Sequence, residues 1–206
     1  MFILGLTGSI GMGKTTAAAA FRRQGVPVHD ADATVHRLLA CGGAAVDPVS
    51  ESFPGCVTNG SVDRRLLGAR VFGDTPAIRV LEGILHPLVR TEEQNFLRKQ
   101  AAHGAPLVVL DIPLLFETGA DERCDAVAVV SAPSFVQRQR VMARPGMTAE
   151  KVASIMARQM PDTDKCSRAD FIIQTGQGRA FALRQIKEIV TLARARRGNK
   201  WLSASV

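Results

Sequence analysis

Residues 8–15 read Gly-Ser-Ile-Gly-Met-Gly-Lys-Thr and match the pattern G-x-x-x-x-G-K-[ST]. No other feature restricts the fold of this chain as strongly. Glycine at these positions permits positive φ and close backbone approach, so successive N–H groups can turn toward a phosphate. The pattern carries meaning only between a strand and a helix, and both are present. Phe2-Ile3-Leu4-Gly5-Leu6-Thr7 is a short apolar run, as in a buried strand. Lys14 to Gln24 is alanine-rich and ends at Gly25, which suits a glycine-capped helix whose positive end adds to the anion site. Lys14 then reaches the β- and γ-phosphates, and Thr15 offers a hydroxyl to Mg²⁺. The competing dinucleotide pattern G-x-G-x-x-G fails, because Thr16 stands at its last glycine position after Gly11 and Gly13. The expected ligand is therefore a nucleoside triphosphate, held by Gly8, Gly11, Met12, Gly13, Lys14, Thr15 and Thr16.

The other apolar runs fit a parallel sheet. Val26 to His29 reads as a second strand ending at Asp30, and Leu107–Leu110, Ala126–Val130 and Phe171–Ile173 as further ones. Strands apolar on both faces are those covered by helices on both sides. Helix is expected at 33–40 and, in two or three pieces, at 63–103, with Pro87 at the first turn of the last piece. Ser134 and Gln137 have capping-box spacing, so a helix starts there. Thr148 caps another that runs through Gln159. Leu183, Ile186, Val190 and Ala193 line one face of a final amphipathic helix. Residues 41–75 are broken by Pro48, Pro54, Gly55 and Gly60, and no strand is assigned there. Strand–helix alternation implies α/β with right-handed crossovers.

Composition removes several classes. With 206 residues, 46% apolar and 22% charged, this is an ordinary globular chain, long enough for one domain with a sizeable insert. The longest stretch without a charge is residues 1–13, too short to cross a bilayer and without a basic leader region, so cytoplasmic residence and no membrane partner are expected. The four cysteines have no C-x-x-C spacing and no Cys/His cluster has zinc-site spacing, which argues against a metal site made from side chains alone. Nearly all of the net charge of +7 lies in residues 179–206, where seven Lys and Arg face Glu188 alone. No RNA-binding aromatic pattern accompanies it, and no nucleic-acid partner is expected.

Two pairs suit phosphoryl transfer. Asp30 and Asp32 lie where the second strand ends, a position that faces the phosphates in an open α/β sheet, and a carboxylate there can accept a proton from an attacking hydroxyl. Either could instead cap the next helix. Arg140 and Arg144, four apart on the helix starting at Ser134, suit a phosphate clamp or surface salt bridges. The guanine motif of GTPase switches is absent: Lys165 is followed by Cys166-Ser167-Arg168.

Across about residues 2–190 the chain resembles the dephospho-coenzyme A kinase family. The resemblance rests on Leu6 through Thr16, Gly25-Val26-Pro27-Val28-His29-Asp30-Ala31-Asp32, Leu85-His86-Pro87-Leu88, Asp111-Ile112-Pro113-Leu114-Leu115-Phe116-Glu117, Gln137 to Arg144, and Ala169 to Gly176. It implies a three-layer P-loop NTPase fold with a parallel sheet, a helical substrate-binding insert and a small helical lid. The core would be about 1–40, 105–135 and 168–197, the insert 60–104 and the lid 136–167, all one domain over 1–197. Residues 198–206 lie beyond the resemblance, after Gly198 and Asn199 end the amphipathic pattern, and are expected to be a basic tail dispensable for catalysis. The implied reaction is transfer of a phosphoryl group from ATP, with Mg²⁺, to the ribose 3′-hydroxyl of dephospho-CoA, by a monomer or small homo-oligomer. By position, Asp32 is the implied base, with Asp30 and His86 on the substrate. Pro113 and Leu114 line its pocket, and Arg140 with Arg144 lies over the ATP phosphates. Asp111 and Thr15 would hold Mg²⁺, Asp111 through water. Ser9 and Thr15 replace the family's usual glycine and serine, and Gln174-Thr175-Gly176 stands where an acidic residue and Asn usually precede glycine.

Two other readings make separate expectations. Another small-molecule kinase of the same core would differ in its acceptor. A nucleotide-gated module using the basic tail on nucleic acid would bind ATP, transfer no phosphate and show salt-dependent nucleic-acid affinity.

Overall fold

A computed structural model describes residues 1–157 and 159–203. The chain runs through β1 (Phe2–Thr7), α1 (Lys14–Arg23), β2 (Val28–Asp30), α2 (Ala31–Leu39), α3 (Val46–Ser52), β3 (Val57–Thr58), β4 (Ser61–Val62), α4 (Arg64–Val71) and α5 (Thr75–Ala102). It continues with β5 (Leu107–Asp111), β6 (Ala126–Ser131), α6 (Ser134–Met142), α7 (Ala149–Ala157), α8 (Asp162–Ser167), β7 (Phe171–Gln174), α9 (Arg179–Arg194) and α10 (Lys200–Ser203). These elements form two compact units, Met1–His29 with the residues from Lys99 onward, and Asp30–Arg98.

The first unit is built on a five-stranded sheet of order β2-β5-β1-β6-β7. β1 pairs in parallel with β5, Phe2 opposite Leu107, and with β6, Leu4 opposite Ala126. β6 pairs in parallel with β7. The two-residue period of a strand sends Phe2, Leu4 and Leu6 to one face, into a core shared with Ala17 and Phe21 of α1 and Ile186, Val190 and Ala193 of α9. Each buried Leu, Ile, Val or Phe among these contributes about 1.5–3 kcal/mol by burial, and the alanines less. The predicted stripe of α9 is thus its packed face, with Leu183 only partly covered. On the opposite face a Cβ at Gly5 would lie 2.7 Å from Leu115 and 2.9 Å from Cys124 Sγ, so the segment after β5 packs directly on the β1 backbone. The chain turns to opposite sides of β1 on its way to β5 and β6. The crevice beyond the C-terminal end of β1 is where open α/β sheets bind ligands, and the glycine-rich loop leaves β1 there.

The second unit has its own core, made by Leu38, Leu39, Val46, Val49, Phe53, Cys56, Val62 and Leu67. It departs from the sequence reading twice. A hairpin pairs Val57 with Val62 in the region assigned no strand, closed by Asn59 and Gly60, both with positive φ as a two-residue primed turn requires. α5 runs through Pro87 instead of starting there. The carbonyl that proline leaves without a donor belongs to Gly83, which is exposed and open to water, so the interruption is tolerated.

Residues 198–201 are not a loose appendage. Asp125 accepts from Ile3 N at 2.8 Å through one oxygen, and from Asn199 N at 2.6 Å and Lys200 N at 3.0 Å through the other. One carboxylate thereby caps α10 and fastens it to the start of β1. The rest of the segment, from 204 on, lies outside the described residues.

Candidate active site

The phosphate loop is held in shape from outside. Gly11 has φ 79° and Gly13 φ 98°, values that L side chains resist, and a Cβ at Gly11 would press on Val141 at 2.5 Å. At Gly8 a Cβ would lie 2.7 Å from Val130 O, so close approach to β6 requires glycine there. Met12 is buried in the sheet core and its Sδ accepts from Ala132 N at 3.2 Å. Thr15 and Thr16, in the first turn of α1, are exposed.

Lys14 Nζ lies 2.7 Å from Asp111 Oδ1. Asp111 ends β5 and is only 2% exposed, so the ammonium is held at the mouth of the sheet by a buried carboxylate. An ammonium has three N–H groups, and this bond takes one. Thr7, the last residue of β1, donates its hydroxyl to Pro113 O at 2.9 Å and fixes the turn that follows Asp111. Leu114, next in that turn, is 39% exposed and open to a ligand.

The segment expected as a lid differs from the sequence reading in three ways. Pro133, not Ser134, is the N-cap of α6, and no side chain among the described residues caps that end. Gln137 is therefore free of the expected capping box; it is buried and donates Nε2–H to Ile10 O at 2.9 Å. Arg144 does not share a helix face with Arg140, because α6 ends at Met142 and Arg144 follows its C-cap, exposed. Between α7 and β7 the chain forms the short helix α8 where none was assigned. Thr148 does cap α7, accepting from Lys151 N at 3.3 Å.

Arg140 donates to Thr175 through both its Nη atoms at 2.9 Å and approaches Gly11 O at 3.5 Å. Thr175 in turn donates to Met12 O at 2.6 Å. Arg140→Ala should therefore lower kcat/KM by about tenfold or more, whereas Arg144→Ala should stay within about threefold. The former removes both a charge near the loop and the tether on Thr175. Steady-state kinetics on the two variants decides the matter, and equal small losses would make Arg140 a surface residue.

Sequence reasoning did not find the pair that holds the end of the Asp111–Glu117 block. Lys165 of α8 is fully buried, with Nζ 2.8 Å from Glu117 Oε1, and the same oxygen accepts from Met160 N at 2.8 Å. Arg168, one turn along, stacks on Phe116 at 4.4 Å and pairs with Asp121 at 2.8 Å. Burial alone would raise the Glu117 carboxyl, but the Lys165 and Met160 hydrogen bonds outweigh it and hold it below the ordinary range. A depressed carboxyl stabilises the fold fully above its unfolded value of about 4.3, and this is lost as pH falls through the lower folded value. Glu117→Gln should cost about 2–4 kcal/mol at pH 7, because it leaves a buried ammonium without a counter-charge, and the loss should shrink in acid. Urea melts at pH 7 and pH 3.5 measure both; equal stability of variant and parent at pH 7 would contradict the assignment.

In the second unit Asp30 caps α2, its Oδ1 accepting from Ala33 N at 2.9 Å and its carbonyl from Thr34 Oγ1 at 2.9 Å. Asp32 lies in the first turn of α2, exposed and without a hydrogen bond or ion pair among the described residues. His86 is exposed on α5. Lys14, Asp111, Pro113, Leu114 and Arg140 belong to the first unit, and Asp30, Asp32 and His86 to the second. For Thr175 the only sequence signal was the departure at Gln174-Thr175-Gly176.

The sequence profile of dephospho-CoA kinases matches residues 2–180. A dephospho-CoA kinase of Mesorhizobium japonicum is 54% identical over 199 residues, covering 97% of this chain and 100% of the relative. One from Paramagnetospirillum magneticum is 59% identical over 197 residues, covering 96% and 93%. Among solved structures, a Thermus thermophilus protein superposes with TM-score 0.81 at 36% identity, over 93% of this chain and 96% of that one. A dephospho-CoA kinase of Campylobacter jejuni superposes with TM-score 0.65 at 22% identity over 93% and 96%, a likeness of fold. No helix among the described residues is long and apolar enough to cross a membrane. With a profile matched along most of its length and relatives matched nearly end to end, this chain belongs to the dephospho-CoA kinase family.

Proposed function

We propose that Asp32 is the general base and Lys14 the main electrostatic partner in the family's reaction, transfer of the γ-phosphoryl group of ATP to the ribose 3′-hydroxyl of dephospho-CoA. The acceptor oxygen forms a bond to the γ-phosphorus as the bond to the β,γ-bridging oxygen breaks. The acceptor proton passes to the Asp32 carboxylate and ADP leaves. Asp32 is preferred over Asp30 because the Asp30 side chain is committed to capping α2. That difference is the observation that carries the role assignment.

Lys14 keeps two N–H groups for phosphate oxygens while Asp111 holds the third. Arg140 supplies a second positive charge beside the loop. Pro113 and Leu114 give the acceptor an apolar wall, and His86 contacts the substrate from the helical insert.

The donor set fits Mg²⁺. That ion is commonly held by one or two protein oxygens together with substrate phosphates, and here the Thr15 hydroxyl and the buried Asp111 carboxylate are of that kind. Thr15 would hold it directly and Asp111 through water. When bound, Mg²⁺ neutralises charge on the β- and γ-phosphates.

The test is ADP release, with mass analysis of the acceptor, for dephospho-CoA against adenosine, AMP and pantetheine. The expected result is one phosphate added to dephospho-CoA only, and only with ATP and Mg²⁺. Preference for another acceptor would overturn the substrate assignment. A shift of the base role to Asp30 would leave the substrate intact and overturn only the residue assignment.

A further inference from the structure

Ile10, third residue of the phosphate loop, is gripped by two glutamines. Its N–H donates to Gln159 Oε1 at 3.0 Å, and its C=O accepts from Gln137 Nε2 at 2.9 Å. Gln137 comes from α6, Gln159 from the link between α7 and α8. The two bonds fall on successive peptide planes, Ser9–Ile10 and Ile10–Gly11. Together they fix the backbone on both sides of the Ile10 Cα.

The trans peptide makes this consequential. The C=O of one residue and the N–H of the next point to opposite sides of the chain. Three consecutive loop carbonyls are engaged by side chains from later in the sequence: Ile10 by Gln137, Gly11 by Arg140, Met12 by Thr175. The N–H groups of Gly11, Met12 and Gly13 are therefore turned the other way. Met12 N donates across the loop to Ser9 O at 3.1 Å. Gly11 and Gly13 N–H make no hydrogen bond among the described residues, so they are left as donors for a phosphate. Ile10 N–H is the exception in direction, and Gln159 satisfies it. Without that acceptor the Ser9–Ile10 plane keeps only the bond from Met12 N to Ser9 O and loses its tether from outside the loop, so it can rotate more freely.

We propose that Gln159 is a positioning residue for ATP: by accepting from Ile10 N–H, opposite Gln137 on Ile10 C=O, it holds the phosphate loop in its donor-inward form. The proposal rests on the ATP-dependent transfer described above. It links nucleotide affinity to the α7–α8 segment, through a residue that itself touches no phosphate.

The test uses the full chain with Gln159→Met, which keeps the side-chain length and removes the acceptor, and Gln159→Glu, which keeps an acceptor. Amide hydrogen exchange at Ile10 in the nucleotide-free protein should accelerate in Gln159→Met and return toward the parent rate in Gln159→Glu. ADP affinity of Gln159→Met, measured by calorimetry and so independent of transfer, should fall about 5–10-fold, the factor carried by one ordinary hydrogen bond. KM for ATP should rise alongside, with KM for dephospho-CoA within twofold. Unchanged Ile10 exchange would overturn the proposal, as would faster exchange with ADP affinity within twofold. A parallel rise of both KM values with a lowered melting temperature would also overturn it, since that is the signature of a merely structural residue.

Discussion

Lys14→Ala is expected to lower kcat/KM by about a thousandfold or more, since catalysis of phosphoryl transfer is mostly positioning and electrostatics, and this ammonium is the loop's own positive charge. The geometry adds a second effect. Asp111 is buried against Lys14 at 2.7 Å, so the alanine variant should also melt at a lower temperature. Lys14→Arg separates the two. A guanidinium preserves a positive charge for Asp111 but is planar and larger, and does not reproduce a compact ammonium over phosphate oxygens. Stability should therefore recover in Lys14→Arg while kcat/KM stays at least about a hundredfold down. Parental kcat/KM in either variant would remove Lys14 from the site.

Asp32→Asn should lower kcat by roughly 10²–10⁴-fold, the range of a general acid–base group, with both KM values little changed because the side-chain shape is kept. Asp30→Asn should do far less. An asparagine oxygen still accepts from Ala33 N, so the α2 cap survives. Single-turnover measurements, which isolate the chemical step, compare the two directly. If Asp30→Asn proves the more damaging, the roles are reversed.

What the sequence displayed, and what it hid, divides along the range of the interactions. The loop at Gly8–Thr15, the apolar strands and the stripe of α9 are written in neighbouring residues, and the structure carries all of them. The β3–β4 hairpin was also signalled locally, by Asn59-Gly60, but was masked by the surrounding Pro48, Pro54 and Gly55. Pro87 misled because an exposed helix can lose one hydrogen bond to water. Ser134-x-x-Gln137 misled because Pro133 took the cap and left Gln137 for a carbonyl more than a hundred positions earlier. The tethers from Arg140, Thr175 and Gln159, and the burial of Lys165 against Glu117, join segments distant in sequence. Nothing in a local pattern records such pairings.

The central place of β1 has a consequence for how the chain is made. All six residues of Phe2-Ile3-Leu4-Gly5-Leu6-Thr7 are buried, and the strands on either side of them begin at Leu107 and Ala126. During synthesis at about 5–20 residues per second, the first partner arrives roughly 5–20 s after β1 has been made. Through that interval an uncharged, proline-free strand has both edges unsatisfied, which is the composition that pairs with other chains. The yield of folded enzyme is then governed by this waiting time as well as by final stability. Slower elongation across the helical segment before β5 should increase aggregation at an unchanged melting temperature.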